Sequence, residues 1–283
     1  MITFKTLSSG ITVLTLSNDH ATAEVSLYGG QVLSFKPKNK NDIIFVSKKS
    51  LFTPGKAIRG GIPVCWPWFG PHATEKDFPV HGFVRTTQWS LVSSEENRKC
   101  TTATLECSSS PETEKFWPHD FTLSLTVSVG KNLELKLTTK NDDRESVSIT
   151  DAFHTYYRIS EIANVSVKGF DGTRYIDRVG GRTEKNQEGD VVISGETDRV
   201  YLGGKKCVVS DLSAKRTVTV EKDGFPDTIV WNPWIDRSKA MVDFDDDEYH
   251  CMICVEAGSA LDNKIDLAPG AKVTQKMTIV PRG

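Results

Sequence analysis

The run Phe121-Thr-Leu-Ser-Leu-Thr-Val-Ser-Val129 alternates apolar and polar side chains at every step, and the alternation resumes in Leu133-Glu-Leu-Lys-Leu137 after Gly130-Lys131-Asn132. Successive side chains of a strand point to opposite faces, so a period of two predicts half-buried antiparallel strands. The short, glycine-containing connection predicts a hairpin. Outward from this hairpin, similar runs lie at 11–16, 23–27, 102–107, 165–167, 206–210, 217–220 and 272–280. Turn formers separate them, among them Gly29-Gly30, Asp142-Asp143, Gly180-Gly181 and Asp223-Gly224. No segment of helical length carries an apolar stripe at helical spacing. The pattern predicts an all-β chain whose strands form two large packed sheets, an antiparallel β-sandwich.

With 283 residues the chain is near the upper size that one core serves, and no compositional break divides it, so a single domain over 1–283 is expected. Apolar residues make up 38% and charged residues 25%, the proportions of an ordinary globular protein. A net charge of −2 provides no overall field for nucleic acid or an anionic membrane, so neither is an expected partner. Any phosphate must be held by a local basic cluster. The N-terminus shows no apolar signal core and no run has the length of a membrane span, so a cytoplasmic location is expected. Nothing suggests an obligate interface, so a monomer is expected. Six cysteines in a chain this long do not read as a disulfide framework. Cys251-Met-Ile-Cys254 stands alone in an apolar run, without a second such pair or a histidine at zinc spacing, and reads as reduced thiols acting as small hydrophobes.

Arg59-Gly-Gly-Ile-Pro-Val-Cys-Trp-Pro-Trp-Phe-Gly70 and His81-Gly-Phe-Val-Arg85 combine features that a plain strand does not need. Prolines stiffen the backbone, and Gly60-Gly61 permits close approach to a ligand. Trp66 and Trp68 offer flat apolar faces, while Arg59 and Arg85 offer forked donors suited to an anionic group. Two readings fit: a proline-braced core loop with surface arginines, or a rigid wall for a ligand with an apolar face and a negative charge, such as a phosphorylated sugar.

Nucleotide-binding glycine loops, the zinc-protease HExxH motif and the Gly-x-Ser-x-Gly elbow are all absent. The acidic run Asp243-Phe-Asp-Asp-Asp-Glu248 lacks the spacing of a calcium loop and reads as a solvated turn. His154 lies in the aromatic run Asp151–Tyr157, and Glu256 ends the apolar run Cys251–Glu256. A carboxylate at the end of a buried strand is costly unless it is paired or does chemistry. Histidine and glutamate are also the residue types of general acid–base catalysis, although each taken singly also fits a structural role. Asp198 fits a turn equally well.

The ordered blocks Arg59–Gly70, His81–Arg85, Asp151–Tyr157, Glu196–Tyr201, Thr228–Trp234 and Met252–Gly258 resemble the hexose-6-phosphate mutarotases (glucose-6-phosphate 1-epimerases) of the aldose 1-epimerase, galactose mutarotase-like superfamily. The blocks span essentially the whole chain. The resemblance implies a large antiparallel β-sandwich and exchange of sugar anomers without metal or other cofactor. It implies His154 as general acid, Glu256 as general base, Asp198 and His81 as sugar ligands and Arg59 and Arg85 as phosphate ligands, with Trp66 presenting an apolar face to the sugar. One position departs: the residue before the His-Gly pair, often a substrate-contacting glutamine in the family, is Val80. A non-catalytic sugar-phosphate binder and a mutarotase of unphosphorylated aldoses are the alternatives.

Overall fold

The expected hairpin forms. Strands Phe121–Val129 and Leu133–Asn141 pair antiparallel, with Phe121 opposite Asn141 and Val129 opposite Leu133. Along both, every second side chain is buried. In this computed structural model, which describes residues 1–283, the hairpin belongs to a nine-stranded antiparallel sheet. The C-terminal strand Lys272–Arg282 lies at the middle of that sheet, between Leu133–Asn141 and Arg216–Asp223.

The second large sheet has eight strands. Its central members are Thr197–Leu202, Asp227–Asn232, Met252–Ser259 and Asp151–Phe153, paired in that order, and Tyr156–Arg158 pairs with Met252–Ser259 as well. Both sheets contribute to one core of 52 buried residues, where Leu123, Leu135 and Ile279 of the first meet Phe153, Val230 and Val255 of the second. Burying one such side chain is worth about 1.5–3 kcal/mol, so this shared layer is the main force joining the sheets. A four-stranded sheet over residues 2–37 and a two-stranded one complete the fold.

Two central strands read as continuous apolar runs because both of their faces are covered: every residue of Asp227–Asn232 and of Met252–Ser259 is buried. One face of Met252–Ser259 (Ile253, Val255, Ala257) enters the shared core. The opposite face (Met252, Cys254, Glu256) turns away from it, and this alternation places a carboxylate beneath a cavity.

Two details of the fold depart from the sequence reading. A short helix, Trp234–Ala240, follows Pro233 where no helix is expected. Seven residues are too few for a periodic stripe to register. The glycines of Arg59-Gly60-Gly61 adopt φ of 107° and 72°, but they serve packing rather than a ligand. A Cβ on Gly60 would meet the Val46 backbone at 2.5 Å, and one on Gly61 the Val32 carbonyl at 2.4 Å. No helix is long and apolar enough to cross a membrane.

Candidate active site

Strand register builds the floor of the site. Asp198 stands opposite Trp231, Trp231 opposite Cys254, and Cys254 opposite Tyr156, which gives one row across four strands on the face away from the core. The adjacent row sets Ile229 opposite Glu256. His154 sits where the chain passes from Asp151–Phe153 to Tyr156–Arg158, its N–H donating to the Pro63 carbonyl at 2.9 Å. Above this floor is a cavity of about 340 Å³ lined by His154, Glu256, Asp198, His81, Arg59 and Arg85, together with Arg178, Arg237, Tyr156 and Trp231. Hollows of about 540 and 720 Å³ lie elsewhere on the surface, but neither is lined by a buried acid–base pair.

His154 and Glu256, 102 positions apart in sequence, meet at 3.4 Å between Nδ1 and Oε1. They touch without the alignment of a hydrogen bond: Nδ1 of His154 and Oε2 of Glu256 are both enclosed and unpartnered. Unpartnered buried polar atoms are costly, and they mark a site prepared for something else. With Nδ1 turned to Glu256, Nε2 is the ring nitrogen left to face the cavity. The imidazole is clamped by stacking on Tyr156 (centroids 4.8 Å apart) and by edge contacts with His81 and Trp231.

Burial dominates the electrostatics of this pair. Desolvation, reinforced by the Asp198 charge, pushes the Glu256 carboxyl well above the usual carboxylate range. Desolvation, with Arg85 and Arg59 adding repulsion, lowers His154 to about 3. Burial thus favours the uncharged form of each group, a carboxylic acid beside a neutral imidazole, and this pair differs from carboxylate and imidazolium by the transfer of one proton.

His81 has a fixed tautomer. Its ring Nδ1 accepts from the Gly70 N–H at 3.1 Å, while the His81 backbone N–H donates to the Gly70 carbonyl at 2.7 Å. Burial followed by the Arg85 charge holds its pKa well below the usual histidine range, so it is neutral with its proton on Nε2. It lines the cavity as an N–H donor.

The arginines divide into tethered and open. Arg59 donates from Nε to Asp243 Oδ2 and from Nη1 to the Tyr156 hydroxyl, both at 3.2 Å. Burial opposes its charge, but Tyr156 and Asp243 outweigh that and hold it protonated. Arg85 forms no ion pair; its Nη2 donates only to the Val80 carbonyl at 2.6 Å, and burial lowers its pKa. Arg178 Nε lies 3.6 Å from Asp198 Oδ2, with its guanidinium 5.7 Å from the centre of the Phe69 ring. Arg237 pairs with Glu196 at 3.3 Å. Two of these four cations, Arg178 and Arg237, are absent from the sequence expectations. No local pattern marks them: the Arg178 backbone N–H donates to the Asp198 carbonyl at 2.8 Å, a pairing between segments that local sequence does not show.

Three sequence expectations change. Trp66 does not line the cavity: it is fully buried in the main core, with its ring 4.4 Å from Phe121 and 4.9 Å from Trp117. Trp231 is the tryptophan at the cavity. The acidic run is not uniformly a solvated turn, since Asp243 anchors Arg59 and Glu248 is buried, accepting from the Lys48 and Asp245 amides. Charge spacing alone did not reveal these long-range partners. Cys251 and Cys254 are both free thiols, but only Cys254 is fully buried, on the face that carries Glu256.

Residues 12–280 match the model of the family described as aldose 1-epimerase. A protein of Cenchrus ciliaris is 40% identical over 259 residues, covering 88% of this chain and 78% of that protein. One from Escherichia coli K12 is 36% identical, covering 95% and 91%. Both carry the name "Putative glucose-6-phosphate 1-epimerase". A crystal structure from Salmonella typhimurium, described as a "putative mutarotase", superposes with a TM-score of 0.93 at 33% identity, covering 99% of this chain and 93% of that one.

Proposed function

The chain belongs to the aldose 1-epimerase family, and on that premise we propose that it interconverts the α and β anomers of a hexose 6-phosphate, with glucose 6-phosphate as the substrate its relatives' names indicate. It is an isomerase of the mutarotase type. The observation that carries the proposal is the buried His154–Glu256 pair beneath a cavity ringed by four arginines.

Anomer exchange requires a proton to leave the C1 hydroxyl while another reaches the ring oxygen. The ring opens to the aldehyde, the C1–C2 bond turns, and the ring closes on the other face. In the proposed cycle the Glu256 proton passes to His154 Nδ1. The resulting carboxylate takes the C1 hydroxyl proton, and the imidazolium donates from Nε2 to O5. Closure runs the same steps backwards, so the pair ends as it began. Each positioned group contributes on the order of 10²–10⁴ in rate. The reaction has no redox step and no covalent intermediate, and the proposal assigns it no metal or other cofactor.

The phosphate has a second part in this scheme. Arg85, Arg59 and Arg178 all disfavour charge on His154. A phosphate dianion against those arginines cancels their field and eases formation of the imidazolium. Arg85, lacking an anionic partner, is the proposed principal phosphate ligand, with Arg59 held in place beside it by Asp243. His81 and Asp198 are the proposed sugar-hydroxyl ligands. The reading treats residues 1–283 as one domain, supported by the family match over 12–280 and by the core shared between the two large sheets. It also takes the protein to be a cytoplasmic monomer.

Glu256→Gln tests the scheme. It keeps the shape of the side chain and removes the base, so the decay of optical rotation of freshly dissolved α-glucose 6-phosphate should slow by about 10² or more while sugar-phosphate binding persists. Turnover near that of the unaltered protein removes Glu256 as the base.

A further inference from the structure

Beneath the acid–base pair lies a third side chain that the proposed reaction does not use. His154, Cys254 and Glu256 are all buried, and one ligand atom from each falls within 4.8 Å of the others. Register accounts for the grouping: Cys254 and Glu256 are two apart on one strand and share a face, and Cys254 pairs with Tyr156, on which the His154 ring stacks. Nitrogen, thiolate sulfur and carboxylate oxygen form a donor set that suits zinc and other borderline or soft divalent ions.

The spacing suits it too. With zinc bonds of about 2.0–2.3 Å, tetrahedral ligand atoms stand about 3.3–3.6 Å apart. The His154–Glu256 edge is already 3.4 Å. Closing the thiol edges takes roughly 1 Å of side-chain rotation. No hydrogen bond holds His154 Nδ1 or Glu256 Oε2, so both atoms are free to take a metal ion. A cation needs no entry route of its own, because His154 and Glu256 also line the sugar cavity.

We propose that His154, Cys254 and Glu256 form an inhibitory zinc site, in which the ion binds Nδ1, Sγ and a carboxylate oxygen and takes the acid and base out of service. On binding, the Cys254 thiol and the Glu256 carboxyl each release a proton to solvent, and the zinc–sulfur and zinc–oxygen bonds take the place of the S–H and O–H bonds; water completes the coordination. The site therefore makes the enzyme sensitive to free zinc without making zinc a cofactor. The binding claim rests on geometry alone, whereas the loss of activity also rests on the proposed roles of His154 and Glu256.

Cobalt(II) is the spectroscopic probe and zinc the inhibitor. Adding Co²⁺ to the whole protein should produce a thiolate-to-cobalt charge-transfer band in the near ultraviolet, which stoichiometric Zn²⁺ abolishes. Zn²⁺ should suppress anomer exchange, and EDTA should restore it. Cys254→Ser and Cys254→Ala should lose the band and, measured against each variant's own metal-free rate, need about tenfold or more Zn²⁺ for equal inhibition. No cobalt band in the unaltered protein overturns the site, with no variant required. The same holds for equal zinc sensitivity in well-folded Cys254 variants. A cobalt band without inhibition upholds the metal site and overturns the assignment of His154 and Glu256 as acid and base.

Discussion

Removing the Arg59 guanidinium should do more harm than the loss of one phosphate contact. Arg59 stands between the cavity and Asp243, 3.2 Å from that carboxylate through both Nε and Nη2. In Arg59→Ala the phosphate loses a charge-assisted donor worth about 1.5–3 kcal/mol, and Asp243 is left facing the substrate unpaired. A guanidinium bridging two anions holds them about 7 Å apart, where each unit of phosphate charge repels the carboxylate by roughly 2 kcal/mol at an effective dielectric constant near 20. Both side chains are partly exposed, so solvent reduces that figure. The combined loss is about 3–5 kcal/mol, or roughly 10²–10⁴ in kcat/KM for glucose 6-phosphate. Adding Asp243→Asn to Arg59→Ala should recover the repulsive part, about tenfold or more. The assay is anomer exchange by magnetisation-transfer NMR at several concentrations of glucose 6-phosphate and of glucose. Free glucose carries no phosphate and should lose less than about tenfold in Arg59→Ala. Equal losses on both sugars, or no recovery in the double variant, refute the reasoning.

Three further outcomes follow from the same structure. Inorganic phosphate should raise exchange of free glucose, because a dianion near Arg85 relieves the repulsion on His154; steady inhibition at every phosphate concentration contradicts this. Asp151 is fully buried, and desolvation raises it from 3.8 to about 7. From pH 4 to 7 the unfolded chain releases this proton while the folded chain keeps it, so stability falls with rising pH. The contribution is about 4 kcal/mol at most and is gone above pH 7. Urea unfolding across that window should show the decline in the unaltered protein and a flatter curve in Asp151→Asn. Trp66→Ala should cost about 3–5 kcal/mol of stability with little change in KM, as befits a core ring; a large KM effect in a stable variant returns Trp66 to the substrate.

What the sequence made legible follows the physics of each element. Phe121–Val129 and Leu133–Asn141 each bury one face, so their side chains alternate and give the strands away. Met252–Ser259 is buried on both faces, which hides its period of two and with it the fact that Cys254 and Glu256 share a side. The family-like blocks pointed to His154 and Glu256, but only pairing between distant strands reveals that they touch. Arg59 and Arg85 look equivalent in the sequence. The structure separates them through Asp243, 184 positions from Arg59, a partnership that local pattern cannot express. Trp66 was misplaced for the same reason: an aromatic cluster has the same composition in a core as in a binding wall, and only packing tells them apart.

The central claim is that the His154–Glu256 pair exchanges anomers of a phosphorylated hexose. Magnetisation-transfer NMR on an equilibrium mixture of α- and β-glucose 6-phosphate tests it directly, since saturating one anomeric proton signal reports transfer to the other while the reaction stays at equilibrium. The account predicts transfer that grows with enzyme concentration, exceeds that of free glucose, and disappears in Glu256→Gln. Exchange no faster than in buffer, with glucose 6-phosphate still bound, would contradict it and leave a sugar-phosphate binder on a mutarotase fold.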